Sequence, residues 1–138
     1  MSVVVESGGM RRVGAAVIGE PTSLDLVIAH RGALWLDITA HGKAAHGAMP
    51  QEGINAILPL AALLGRLNSQ AFPYDPHPLL APPTLNVGTI GGGTKINMVP
   101  DLCSASIDLR TVPGQSHAAL LDEVRRMADA QAAAVPGL

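Results

Sequence analysis

Aromatic residues are almost missing from this chain. Its 138 residues include one tryptophan, one tyrosine and one phenylalanine. The core must therefore be filled by alanine, leucine and valine, and Trp35 is the single strong optical probe. Cysteine is just as scarce. Cys103 stands alone, which excludes an intrachain disulfide framework and suits a reducing, cytoplasmic setting. Charge is low, at 14% of residues, with a formal net charge of −2. With no basic stripe, the chain is a poor partner for nucleic acid. No apolar run is long enough to span a bilayer, so no membrane role is expected.

What remains is aliphatic and small. Hydrophobic residues make up 48% of the chain, beside 15 glycines and 11 prolines, enough for the core of one domain. Residues 13–18 form a short apolar run that stops at Gly19-Glu20-Pro21-Thr22, the pattern of a buried strand ending in a polar turn. Strands are expected over 26–30 and 34–40, with Leu34, Leu36 and Ile38 on one face and Trp35, Asp37 and Thr39 on the other. A helix is expected over 53–67. Ile54, Ile57, Leu58, Ala61 and Leu64 keep helical spacing, and Leu60, Leu63 and Leu67 widen the stripe until it needs two packing partners. Pro59 fits only in the early turns of that helix. Residues 69–83 hold five prolines and read as a connecting loop.

Two more strands are expected over 84–90 and 101–110, joined through Gly91-Gly92-Gly93. In the second, Cys103, Ala105, Ile107 and Leu109 share a face. Ser116 then caps a helix with a Leu120, Leu121, Val124, Met127, Ala128 stripe, and Asp122 stands four residues before Arg126. The fold class is therefore α+β. It is a ferredoxin-like βαββαβ sandwich, an antiparallel sheet with two helices on one face, lacking its last strand.

Four residues stand where chemistry could occur. Glu20 puts a hard carboxylate at a strand end, suited to a metal ion. His46 lies in a glycine-rich loop before Pro50, where an imidazole could donate a hydrogen bond. Asn97, in Ile96-Asn97-Met98-Val99-Pro100, offers both donors and acceptors. Arg110 ends the strand Ile107-Asp108-Leu109-Arg110 with a planar guanidinium matched to a carboxylate. Cys103 falls on the apolar face and reads as core. His41, His77 and His117 are given no site role.

The stretch His41-Gly42-Lys43-Ala44-Ala45-His46-Gly47-Ala48-Met49-Pro50 is followed by Gly53-Ile54-Asn55-Ala56-Ile57. Together with the Gly-Glu-Pro-Thr, Asn97 and Asp108-Leu109-Arg110 segments, it resembles the dimerisation-domain signature of the M20 family of zinc aminoacylases and peptidases. The likeness covers about residues 17–126. It implies that residues 1–23 are a flank of a catalytic domain and residues 24–138 a dimerisation (lid) domain. It implies a parent enzyme that uses two divalent metal ions, zinc by the family's habit, to hydrolyse an amide bond in an N-acyl amino acid or peptide-like substrate. Glu20 would be a metal ligand in that enzyme. His46 would stabilise the oxyanion across a homodimer, and Asn97 and Arg110 would bind substrate. The isolated chain is expected to hold no dinuclear metal centre and to be inactive. The fold taken without the likeness has a rival reading: a free-standing ferredoxin-like module that binds a small molecule or only oligomerises.

Overall fold

The computed structural model describes residue 19 and residues 21–137. The strand expected over 13–18 and the turn acid Glu20 lie outside the described residues. The elements run β1 (Gly32–His41), β2 (Ala45–His46), a 3-10 turn (Pro50–Glu52), α1 (Ile57–Ser69), β3 (Thr84–Gly92), β4 (Met98–Val99), β5 (Leu102–Thr111) and α2 (His117–Ala133).

β5 lies in the middle of a three-stranded sheet of order β1-β5-β3. Both pairings are antiparallel. Gly32 faces Thr111 and His41 faces Leu102 on one side of β5. Thr84 faces Arg110 and Gly92 faces Cys103 on the other, with Gly88 bulged out between Val87 and Thr89. The expected alternation holds along β1 and is strict along β5. Cys103, Ala105 and Ile107 turn inward to meet Leu60, Leu63, Leu64 and Leu67 of α1 and Val124 and Met127 of α2 in one core cluster. Burying a leucine of this kind stabilises by roughly 1.5–3 kcal/mol. The architecture is α+β, with both helices on one sheet face, and it is compatible with a ferredoxin-like unit whose fourth strand would lie beside β1.

Several local expectations shift. Residues 26–30 form no strand, and Leu26 and Ile28 stand exposed. Their sequence suits a strand, but none of the three sheet strands pairs with them, and a strand without a neighbour has no ladder to join. The first helix begins at Ile57 rather than at residue 53, because Ile54 is held in a bridge to Lys43 and Gly53 N–H closes the preceding turn on the Pro50 carbonyl. Asn55 then accepts from the backbone N–H of Ile57 at 2.9 Å and of Leu58 at 3.2 Å, closing the helix start. Pro59 is the third helical residue and lies buried without breaking the helix. The buried stripe is narrower than the pattern suggests, since Leu58 remains 67% exposed and Ala61 faces outward. Ser116 caps α2 as expected, accepting from Ala119 N–H at 3.3 Å. Arg126, however, pairs with Glu123 at 2.6 Å, and Asp122 faces Arg125 at 3.6 Å.

Candidate functional site

The glycine-rich loop folds into a second, very small sheet. Ala45 pairs with Val99 and His46 with Met98. Gly47 N–H donates to the Asn97 carbonyl at 2.8 Å. His46 and Asn97, far apart in sequence, thus become neighbours at one tip of the molecule.

Three anchors hold this tip to the body. Gly42 N–H donates to the Asp101 carbonyl at 2.8 Å, Lys43 and Ile54 exchange two backbone bonds at 2.8 and 2.9 Å, and Ala56 N–H donates to the Pro100 carbonyl at 2.8 Å. Glycine is required where backbones crowd. A Cβ on Gly53 would meet the Lys43 carbonyl oxygen at 2.7 Å, and one on Gly47 would meet the Asn97 carbonyl at 3.0 Å.

His46 is exposed, and its ring is oriented. Ala48 N–H donates to Nδ1 at 3.1 Å. Nδ1 is therefore the acceptor, and the neutral ring carries its proton on Nε2, pointing away from the backbone that holds it. Such a ring is a hydrogen-bond donor presented to whatever covers the tip. Around it, Met49, Ile96 and Met98 are exposed large apolar side chains, with Ile96 fully so.

Arg110 is placed elsewhere. It lies near the end of β5 away from the tip, and at ~3.3 Å per residue about 26 Å of strand separates it from Leu102. Its Nε and Nη2 bond Asp108 Oδ2 at 2.9 and 2.8 Å. The other oxygen of Asp108 accepts from Trp35 Nε1 at 3.1 Å. The structure thus joins His46 with Asn97 and keeps Arg110 apart from both. Sequence reasoning placed Trp35 on the outer face but saw no partner for it. The Asp108 link spans β1 and β5, and only the register reveals it.

Among the described residues, no group of three or more His, Cys, Asp and Glu side chains could hold a metal ion. Burial pushes the Cys103 thiol up from its ordinary value, which fits its place in the core. His117 is spent locally, with Nε2 at 2.9 Å from the hydroxyl of buried Thr111. No helix among the described residues is long and apolar enough to cross a membrane.

Comparison with known proteins gives a consistent picture. Residues 28–136 match the family model of the M20 peptidase dimerisation domain. A peptidase M20 domain-containing protein of Schizosaccharomyces pombe is 39% identical over 95 residues, covering 69% of this chain and 23% of its own length. Acetylornithine deacetylase of Myxococcus xanthus is 36% identical over 112 residues, covering 78% of this chain and 30% of that protein. Among solved structures, the aminobenzoyl-glutamate utilization protein of Klebsiella pneumoniae superposes with a TM-score of 0.65 at 24% identity, over 79% of this chain and 27% of that one. An M20 family metallo-carboxypeptidase of Sulfolobus solfataricus superposes with a TM-score of 0.60 at 16% identity, over 79% of this chain and 42% of that one. The chain spans about a quarter of the length of the curated relatives it matches.

Proposed function

Because the chain belongs to the peptidase dimerisation-domain family of the M20 enzymes, we propose that it is the dimer-forming lid of a longer hydrolase that cleaves an amide bond in an N-acyl amino acid or peptide-like substrate. The observation that carries this reading is the aim of His46. With Nδ1 occupied by the Ala48 N–H and the side chain exposed, Nε2–H is left to donate to a group that comes to the loop. A donor so fixed can stabilise the negative charge that develops on the carbonyl oxygen of a scissile amide. One such donor contributes about 10²–10³ in rate. Asn97, bonded to the same loop, positions the substrate beside it.

Arg110 serves the substrate carboxylate in this reading, and its placement has a consequence. About 26 Å of strand lies between Arg110 and Leu102, the end of the sheet to which the His46 loop is anchored. That span is longer than a small N-acyl amino acid, so in this reading His46 and Arg110 of one copy do not share one molecule. The reading requires two copies, with His46 and Asn97 from one and Arg110 from the other. The exposed Leu58, Ala61, Ala62 and Gly65 on the outer side of α1, with exposed Ile90 on edge strand β3, are suited to forming that homodimer.

The two divalent ions implied by the family likeness find no fitting set of ligands among the described residues. Glu20, which lies outside those residues, is the one ligand this chain would contribute. No step here runs through a metal. Hydrolysis is assigned to the longer enzyme, and the purified 138-residue chain turns over no N-acyl amino acid even with zinc added.

Mixing two disabled variants tests the proposal. In the longer enzyme, His46→Ala and Arg110→Ala each lower kcat/KM about 10²-fold. Dissociated, mixed and reassociated, they recover about a quarter of wild-type activity, because half the dimers are mixed and one of their two sites is intact. Recovery of nothing from a demonstrably mixed dimer would place both residues in one site of one copy, and the reading would fall.

A further inference from the structure

Among the described residues no helix or strand packs on the outer face of the sheet, and one residue on it is out of character. Two pairs of its polar side chains bond each other, Ser106 donating to Asp37 at 2.6 Å and Thr39 bonding Ser104 at 3.1 Å. Among them stands Trp35, the only tryptophan of the chain, 76% exposed. It is not a loose surface indole. Its Nε1–H is tied to Asp108 Oδ1, and Arg110 is tied to Oδ2 of the same carboxylate. One acid therefore fixes an aromatic plane and a guanidinium side by side.

The guanidinium still has donors to offer. Asp108 engages Nε and Nη2, which leaves both Nη1 protons and the second Nη2 proton free. That outer edge presents two parallel N–H groups, the geometry that takes a carboxylate in a bidentate fashion. The side chain is 41% exposed, so the edge is reachable. Its cross-strand neighbours, Ala33 and Thr84, are small and leave it clear. Arg31 adds a second positive charge at this end, its Nη1 lying 3.4 Å from the Thr84 hydroxyl.

We propose that Trp35 is a specificity-determining residue: with Arg110 it forms a subsite for a carboxylate flanked by an aromatic or large apolar side chain. The carboxylate lies on the free edge of Arg110, and the neighbouring side chain lies over the indole. This rests on the reading above only in taking Arg110 as the carboxylate binder. It adds the substrate class, N-acylated amino acids with bulky apolar side chains in preference to small or acidic ones.

The subsite lies within this chain, so the 138-residue protein itself can be tested. Trp35 is its own reporter. N-acetyl-L-phenylalanine changes Trp35 fluorescence saturably. N-acetylglycine, which lacks the side chain, and N-acetyl-L-phenylalaninamide, which lacks the charge, each bind at least about tenfold more weakly. Ligand-observed NMR extends the comparison to Trp35→Ala and Arg110→Gln. Trp35→Ala removes the preference for phenylalanine over glycine, and Arg110→Gln, which takes away the charge, removes the preference for the acid over the amide. Both side chains are exposed rather than core, and circular dichroism checks that each variant is folded. No saturable binding, equal binding of acid and amide, or an unchanged side-chain preference in folded Trp35→Ala would overturn the proposal. The two readings separate cleanly. Selective binding without His46–Arg110 complementation sinks the trans-acting site and leaves this subsite standing; complementation without selective binding does the reverse.

Discussion

Gly47 shows how little slack the tip contains. A methyl group there would press on the Asn97 carbonyl from 3.0 Å, and the Asn97 backbone must give by a few tenths of an ångström to admit it. Gly47→Ala is therefore expected to push Asn97 away from His46. In the longer enzyme it lowers kcat/KM while leaving the melting temperature within a few degrees of wild type, measured by paired kinetics and calorimetry. Cys103 makes the opposite case, a residue without chemistry. It is buried and its thiol is pushed up, so the thiolate is scarce at neutral pH. A chromogenic disulfide reagent should react with it only as fast as the protein unfolds; rapid labelling of the native chain would contradict the core placement. At this scale, sequence motifs found His46, Asn97 and Arg110 as single residues. They could not say that the His46 loop pairs with the Asn97 segment or that Arg110 does not join them, because both facts depend on which strands pair.

Helix α1 is set by its ends as much as by its stripe. Asn55 closes its first turn with two backbone bonds, and Asn55→Ala should cost about 1 kcal/mol of stability in chemical denaturation. Leu67 and Leu58 look alike in the sequence but differ in the fold. Leu67 is fully buried and Leu58 is 67% exposed. Leu67→Ala is expected to cost roughly 2–5 kcal/mol; Leu58→Ala should stay within about 0.5 kcal/mol for a single copy. Apolar spacing reveals a broad stripe but not which side of it one chain can cover. Helix α2 carries a pH signature. The hydrogen bond from Arg126 holds the Glu123 carboxyl below its ordinary value. The pair's small contribution is present above the ordinary glutamate range and is lost as pH falls through the lowered value. Glu123→Gln should flatten that part of the acid limb of a stability curve. The sequence reading assigned Arg126 to Asp122 because four-residue and three-residue spacings both make helix neighbours; side-chain geometry selects the latter here.

Among the described residues both edges of the sheet are open. β1 and β3 each pair on one side only, and unpaired edges invite a further strand. Light scattering across a concentration series should show a discrete dimer, and Leu58→Arg should shift the mass towards a single copy without unfolding it. A wild-type monomer at every concentration would remove the homodimer from the proposal for this chain. The α+β order was readable from periodicity, and the two-helix face from matching that order to a βαββαβ unit. The strand expected over 26–30 was not spared by periodicity, because apolar alternation marks a segment able to pair and cannot supply the neighbour. The central place of β5 also orders events in time. β1 and β3 do not pair with each other, and among the described residues every rung of the three-stranded sheet runs through a strand made after both, with Gly32 waiting for Thr111 and His41 for Leu102. On a ribosome no part of this sheet can close until β5 has left the exit tunnel. The leucines of α1 meanwhile have no sheet to lie on, which makes the interval before β5 emerges the period of greatest exposure to chaperones and to misassociation with neighbouring nascent chains.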